Sequence, residues 1–249
     1  MDALDSAVAA LARCERLLVF TGAGISTESG IPDFRGPDGV WTKVDPEEFT
    51  IDRYISRAET RISSWQRRND SGFLGAIPNR AHHALVDLWD TGRMGGCVTQ
   101  NIDGLHQMAG LPAQAVVELH GNARTTSCLD CGQRTATDAV VVRVEAGDAD
   151  PACLVCGGIL KVDVVFFGED LPVGELARAH DLAEVADGVL VIGSSLSVFP
   201  AALIPLAVVE AGGPMVIVNQ GATDFDSLAV ATIDSPAGDA VPSIVAALR

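Results

Sequence analysis

Leu17-Leu18-Val19-Phe20-Thr21-Gly22-Ala23-Gly24-Ile25-Ser26 begins as an unbroken apolar run and ends in a glycine-rich turn. A short apolar run without polar alternation suits a strand buried on both faces of a parallel sheet. Glycines in the turn after such a strand let the backbone approach a pyrophosphate, and a helix N-terminus can bind its charge. Taken alone, the turn reads equally well as a tight structural connection. Thr27 stands where the usual dinucleotide fingerprint has its third glycine, and no second strand with an acidic end follows. Ile31-Pro32-Asp33-Phe34-Arg35-Gly36 occupies that place instead, which argues against an ordinary hydride-transferring dehydrogenase.

Similar apolar runs recur at Gly96–Thr99, Val116–Leu119, Val189–Ile192 and Met215–Val218. Helical spacing lies between them, at Asp5–Arg16, Asn79–Trp89, Val173–Ala186 and Pro200–Ala211. Alternating strands and helices predict an α/β fold with a doubly wound, parallel, Rossmann-like sheet. Two stretches break the rhythm. Residues 36–77 carry Trp41, Phe49, Tyr54, Trp65 and Phe73 among many charges and predict a small helical module. Residues 123–162 carry four of the six cysteines. The expected division is therefore a Rossmann-like domain over 1–122 plus 163–249, with inserted modules at 36–77 and 123–162.

The 249 residues are 48% hydrophobic, ample for a buried core, and the formal charge is −16 with only two lysines, Lys43 and Lys161. Strong acidity disfavours direct binding to nucleic-acid backbones or anionic lipid. It suits a basic partner such as a lysine-bearing protein, or serves solubility alone. The apolar stretch Ala201–Val218 is broken by Pro205, Glu210, Gly212, Gly213 and Pro214, so no membrane span is expected. Asp2 and Asp5 stand where a secretory leader would be basic. Cys14 and Cys97 lie in apolar surroundings and read as free and buried. Together these features predict a reducing compartment, the cytosol.

Polar or small residues follow each buried run. Thr99-Gln100-Asn101-Ile102-Asp103-Gly104-Leu105-His106 could place ligand-binding groups at a strand end, or Asn101 and Asp103 could simply cap the next helix. Glu118-Leu119-His120-Gly121 puts a histidine at another strand end, where it could be structural or a general base. Gly193-Ser194-Ser195-Leu196-Ser197 and Asn219 end two more, with hydroxyls and an amide suited to phosphate, ribose or adenine. Five such ends favour one crevice over five coincidences. Cys128-x-x-Cys131 and Cys153-x-x-Cys156, twenty-one residues apart, have the spacing of a closed tetrahedral zinc site. A redox dithiol would not need the second pair. Four thiolate ligands leave no position for a catalytic water, so the metal is expected to be structural.

These segments resemble the sirtuins, NAD-dependent protein-lysine deacylases. The likeness runs through Gly22-Ala23-Gly24-Ile25-Ser26, Gly30-Ile31-Pro32-Asp33-Phe34-Arg35 and Thr99 to His106. It continues through Leu119-His120-Gly121, the cysteines, Val164-Val165-Phe166-Phe167-Gly168-Glu169, Gly193-Ser194-Ser195-Leu196 and Val218-Asn219. The resemblance implies that Ala23, Phe34 and Arg35 form the cofactor loop, with Gly22 and Ser26 near phosphate and nicotinamide. Gln100, Asn101, Ile102 and Asp103 would line the ribose and nicotinamide pocket. Gly193, Ser194, Ser195 and Asn219 would hold the phosphates and adenosine. His120 would be the base, with Asn101 and Asp103 as its catalytic companions. Val165, Phe167, Gly168 and Glu169 would bind the acyl-lysine substrate as an added strand.

The implied reaction consumes NAD and moves no hydride, releasing nicotinamide, free lysine and an O-acyl-ADP-ribose. A mono-ADP-ribosyltransferase is the rival reading, and a non-catalytic NAD- or ADP-ribose-binding module is a further one. Desuccinylase-type members carry Tyr-x-x-Arg in the helical module. Tyr54-Ile55-Ser56-Arg57 has the letters but lies far upstream of Pro78-Asn79-Arg80, and Trp65-Gln66-Arg67-Arg68 has the better position without the hydroxyl. Deacetylation is therefore expected over desuccinylation, while Gly36-Pro37-Asp38-Gly39-Val40-Trp41-Thr42 resembles a subgroup with varied acyl and ADP-ribosyl activities and leaves the acyl preference open.

Overall fold

The computed structural model describes residues 2–34, 36, 39–70 and 75–249, with the side chains of residues 69 and 70 outside the description. Arg35 and Phe73 lie outside the described residues. In chain order the chain forms α1 (Ala3–Leu11), β1 (Leu17–Thr21), α2 (Ile51–Ser56), α3 (Ala58–Asp70), α4 (Arg80–Asp90) and β2 (Met94–Thr99). Next come α5 (Leu105–Ala109), β3 (Val116–Glu118), β4 (Gly121–Cys128), β5 (Arg134–Ala136), α6 (Thr137–Glu145) and β6 (Leu160–Val164). The chain closes with α7 (Val173–Glu184), β7 (Gly188–Ile192), α8 (Leu203–Glu210), β8 (Met215–Val218), β9 (Ala231–Ile233) and α9 (Ala237–Leu248).

Six strands make one parallel sheet in the order β3-β2-β1-β7-β8-β9. Strand order reverses between β1 and β7, which opens a crevice beyond their carboxyl ends. Every residue of β1 is buried, because successive side chains enter opposite cores. Leu17 and Val19 pack with Leu85, Leu88, Val241 and Ile244 from α4 and α9. Leu18 and Phe20 pack with Ala179, Ala183, Ile204 and Val208 from α7 and α8. Each fully buried side chain of this size stabilises the fold by about 1.5–3 kcal/mol.

Some expected boundaries move. The first helix begins and ends earlier than the Asp5–Arg16 pattern suggests. The Asp2 carboxylate caps it by accepting from Asp5 N–H at 2.7 Å. After its end, Asp187 draws the chain into β1 by accepting from the N–H groups of Glu15 at 2.6 Å and Arg16 at 2.9 Å. The helix expected from Pro200 begins at Leu203. β9 and α9 complete the fold where no element was expected.

β5, β4 and β6 form a separate antiparallel sheet that carries the cysteines. Its core is small and shared with the helical module: Trp65 of α3 packs with Ala123, Cys128, Val140, Cys153, Leu160 and Val162. Two polar links join the modules. Tyr54 is buried and its hydroxyl donates to Leu160 O at 2.7 Å. Arg61 donates from Nε to both Asp150 carboxylate oxygens at 3.0 Å and from its NH2 nitrogen to Oδ2 at 2.7 Å.

Candidate active site

Two bare-backbone turns meet at the switch point. Gly22 N–H donates to Ile192 O, Gly24 N–H to Gly193 O, and Gly193 N–H to Val218 O, at 3.0, 2.9 and 2.8 Å. A Cβ on Gly22 would stand 2.6 Å from Gly193 O, and one on Gly24 would stand 2.7 Å from Gly193 Cα. Gly193 also has φ of +62°, a left-handed conformation that favours glycine. The chain thus needs these glycines for one backbone to cross the other, as well as for any close approach to a ligand. Leu196 lies in the same region with φ of 59°, held there as its N–H donates to Ser194 Oγ at 3.2 Å. A bulky residue in that conformation costs about 1–3 kcal/mol and marks this strand end as strained.

The end of β2 supplies the next groups. Gln100 Nε2 donates to Ser194 Oγ at 2.7 Å. Asn101 is buried, and its Nδ2 donates to Gly22 O at 3.1 Å and Ser26 Oγ at 3.2 Å. Ser26 Oγ in turn donates to Asp103 Oδ2 at 2.8 Å. The other Asp103 oxygen accepts from Leu105 N–H at 2.9 Å, so this carboxylate also satisfies the first N–H of α5 from just before its N-cap, Gly104. The capping and ligand-site readings of Asp103 are therefore compatible. Ile102 O accepts from Ala123 N–H at 2.9 Å, and its side chain joins the edge of the module core.

His120 follows β3. Its Nδ1 lies 3.0 Å from Gln100 O. A carbonyl only accepts, so Nδ1 carries the proton and Nε2 is left basic when the ring is neutral. Burial pushes the His120 pKa down, against an upward pull from that same carbonyl, so the neutral ring dominates at neutral pH. Val165 N–H donates to His120 O at 2.9 Å, which ties the base directly to the 165–169 segment.

That segment is held from several sides. Phe167 N–H donates to Phe49 O at 2.9 Å, and Ile51 N–H donates to Phe167 O at 3.0 Å. Gly168 takes φ of +89°, and Glu169 Oε2 accepts from Phe166 N–H at 2.7 Å. The same carboxylate oxygen pairs with Lys161 Nζ at 2.8 Å, and that buried ammonium also donates to Val164 O at 2.6 Å. Phe167 is half exposed and stacks near Trp41, with centroids 6.0 Å apart, and Trp41 in turn lies 5.1 Å from Phe34. Phe34 is thereby placed near the 165–169 segment, a link that sequence separation hides.

The remaining candidates lie further along the sheet. Ser195 Oγ meets Ser197 Oγ at 2.8 Å, and Ser195 O accepts from Asp224 N–H at 3.1 Å. Asn219 Nδ2 donates to Gly221 O at 2.9 Å and Gln220 O at 3.2 Å. Asn219, Gly221, Asp226 and Asp234 line a cavity of about 240 Å³. Bare glycine turns, hydroxyls and amides arranged along one row of strand ends fit an extended nucleotide. Ala23 lies between the two glycines of the first turn, partly buried.

The four cysteines converge. Their sulfur atoms all lie within 4.8 Å of one another, with Cys128–Cys156 at 3.5 Å and Cys131–Cys153 at 3.8 Å. Thiolates about 2.3 Å from one tetrahedral zinc would stand about 3.8 Å apart. The donor set therefore fits one structural zinc. Each pair closes a tight knuckle: Gly132 N–H donates to Cys128 O at 3.0 Å and Gly157 N–H to Cys153 O at 2.8 Å.

Thr21, Thr99, His82 and His106 form a buried polar layer beneath Asn101 and Asp103. Thr99 and His106 bound the 99–106 motif, and only folding sets them against Thr21 and His82. Burial pushes the His82 pKa down to about 3, with His106 lowering it further, and burial lowers that of His106 to about 4. Both rings are neutral in the folded chain, while an unfolded histidine takes up a proton below about pH 6.5. Between those values the unfolded state binds more protons, so stability falls as the solution is acidified. The expected loss from pH 6.5 to 5 is up to roughly 2 kcal/mol per histidine. Urea unfolding at the two pH values measures it, and equal midpoints would contradict it.

The Sir2 family model matches residues 22–200 of this chain. NAD-dependent protein deacetylase 2 of Streptomyces coelicolor is 44% identical over 233 residues, covering 92% of this chain and 96% of that protein. A solved structure of a Sir2 enzyme superposes with a TM-score of 0.91 at 40% identity, covering 99% of this chain and 98% of the other. A second, of Sir2 with a deacetylated p53 peptide and 3′-O-acetyl ADP-ribose, gives 0.91 at 37% identity, covering 97% and 96%. With the glycine crossing, the strand-end histidine and the four-cysteine cluster on one doubly wound sheet, these matches show that the chain belongs to the Sir2 family.

Proposed function

We propose that this chain is an NAD-dependent protein-lysine deacetylase that yields free lysine, nicotinamide and 2′-O-acetyl-ADP-ribose. The observation that carries the reading is His120, neutral with its Nδ1 committed to Gln100 O, adjoining the Asn101–Ser26–Asp103 network. The deacetylase name of the Streptomyces relative and the acetyl-ADP-ribose of the solved Sir2 complex support it.

When bound, NAD supplies the ribose carbon that nicotinamide leaves and the hydroxyl that takes up the acyl group. Gly22 and Ser26 would lie near the phosphates and nicotinamide, and Gly193, Ser194, Ser195 and Asn219 would hold the phosphates and the adenosine half. Gln100, Asn101, Ile102 and Asp103 would line the nicotinamide and ribose end. Ala23, Phe34 and Arg35 are assigned to the cofactor loop by the resemblance alone. His120 Nε2 accepts the proton from a ribose hydroxyl, the task that its depressed pKa suits. Val165, Phe167, Gly168 and Glu169 would receive the acyl-lysine peptide as an added strand. The charge of −16 favours a basic, lysine-bearing peptide. One zinc on the four cysteines is structural.

Acetyl is the acyl group best supported. Tyr54 is buried with its hydroxyl on Leu160 O while Arg57 is exposed, so that Tyr-x-x-Arg does not form one pocket. Trp65, at the other position, is core. We also propose the division into a Rossmann-like domain over 1–122 plus 163–249 with modules at 36–77 and 123–162. The cytosol is proposed because paired Cys-x-x-Cys spacing in a chain of this length suits a metal site in a reducing compartment better than a disulfide framework.

Incubation with NAD and acetyl-, succinyl- and other acyl-lysine peptides tests the function. Mass spectrometry should find nicotinamide, deacetylated peptide and O-acetyl-ADP-ribose in equal amounts. Label passing from NAD to protein instead would identify an ADP-ribosyltransferase.

A further inference from the structure

The peptide group between Gln100 and Asn101 is hydrogen-bonded at both ends. Its carbonyl accepts from His120 Nδ1 at 3.0 Å. Its N–H donates to Thr99 Oγ1, also at 3.0 Å. A peptide group is planar, so it cannot rotate to keep one of these bonds and lose the other without strain. Whatever fixes Thr99 Oγ1 therefore fixes the carbonyl that orients His120.

Thr99 is buried at the end of β2, and Thr21 Oγ1 at the end of β1 donates to its hydroxyl at 2.8 Å. A hydroxyl has one proton, and Thr21 has given it to Thr99. His106 Nε2, 2.9 Å from Thr21 Oγ1, must then be the donor in that contact. His106 is accordingly the Nε2–H tautomer. Its Nδ1 is buried with no partner among the described residues, as suits a ring nitrogen with no proton to place. With Thr21 donating to Thr99, the bonds run from His106 to Thr21, from Asn101 N–H to Thr99 and from His120 to the Gln100 carbonyl, and the buried Cys97 thiol also hydrogen-bonds Thr21.

We propose that Thr99, held by Thr21 and His106, is a positioning residue that fixes the tautomer and ring orientation of His120 through the Gln100–Asn101 peptide group. The catalytic consequence rests on the reading of His120 as the base. None of the three touches the reacting atoms; they act through one peptide plane. If the plane turns, Gln100 O no longer selects Nδ1–H, and part of the population presents a protonated Nε2 that cannot accept a proton.

The test compares the full chain with Thr99→Val, which keeps the volume and removes the acceptor, and Thr99→Ser, which restores it. Imidazole ¹⁵N shifts report the tautomer of His120, and steady-state rates with NAD and an acetyl-lysine peptide report catalysis. The parent and Thr99→Ser should show His120 as the Nδ1–H form. Thr99→Val should show mixed tautomers with kcat reduced roughly tenfold or more, because a base in the wrong tautomer cannot act. Thr99→Ser should return kcat to within about twofold of the parent, since its hydroxyl can accept the same bond. A folded Thr99→Val protein that keeps the His120 Nδ1–H form overturns the proposal. If that variant does not fold, the unmodified protein still decides: His106 protonated at Nδ1, or neutral His120 protonated at Nε2, overturns it equally. A His120→Ala protein with full turnover would overturn the base reading and the expected kcat loss together. The ring shifts, read without turnover, separate that failure from a failure of the relay.

Discussion

His120→Ala is expected to lower NAD-dependent deacetylation about 100- to 10,000-fold, the usual contribution of a positioned general base. The fold should survive. Among the described residues His120 makes one side-chain hydrogen bond, to Gln100 O, and a net loss of about 1 kcal/mol is typical for one such bond. The backbone link from Val165 N–H to His120 O remains in the alanine variant, so the 165–169 segment should stay in place. The informative result is a rate collapse with nearly unchanged peptide and NAD binding by calorimetry. Lost binding would point instead to a role in holding the ligands, and unchanged turnover would refute the base.

Cys128→Ser should remove zinc and, with it, the inserted sheet. The core of that sheet is small and contains Cys128 and Cys153 themselves beside Trp65, Ala123, Val140, Leu160 and Val162, so losing the metal site disturbs the core directly. Structural zinc contributes an apparent 10–16 kcal/mol or so in small zinc-binding peptides, which is large beside what this core can bury. The damage should reach the site, because β4 starts at Gly121, next to His120, and β6 ends at Val164, next to Val165. Gly121 pairs with Val164 across the two strands. Metal analysis should give one zinc per parent chain and none in the variant. Hydrogen exchange should rise over residues 121–164 first, with the parallel sheet protected longer. A stable, metal-free and active variant would remove the structural account of the cysteines.

Legibility along the chain followed the range of the forces involved. The runs Leu17–Phe20, Val189–Ile192 and Met215–Val218 were readable because each is apolar without interruption, a direct imprint of burial on both faces, while Gly96–Thr99 and Val116–Leu119 were readable from their apolar centres despite Thr99 and Glu118. β9 was not: it is three residues long at the sheet edge, with only Ala231 fully buried. α9 was missed for another reason. It carries Gly238 and Pro242, which locally argue against a helix, yet Val241, Ile244 and Val245 bury against α1 and α4. Packing there outweighs propensity. The two inserts were seen as separate departures from the rhythm. That Trp65 of one lies in the core of the other could not be read from either alone.

By itself, the sequence determined the kind of fold, the glycine turns, the metal-ligand spacing and the order of the strand-end motifs. All of these are local: a buried strand, a knuckle or a turn is written within a few adjacent residues. The tertiary structure alone decided which of those ends share hydrogen bonds. Ser26 and Asp103 are 77 residues apart and Thr21 and His106 are 85 apart, yet each pair is in contact. Their meeting depends on the sheet order that sets β1 beside β2 and β7, and strand order is a property of long-range packing that no window of sequence contains.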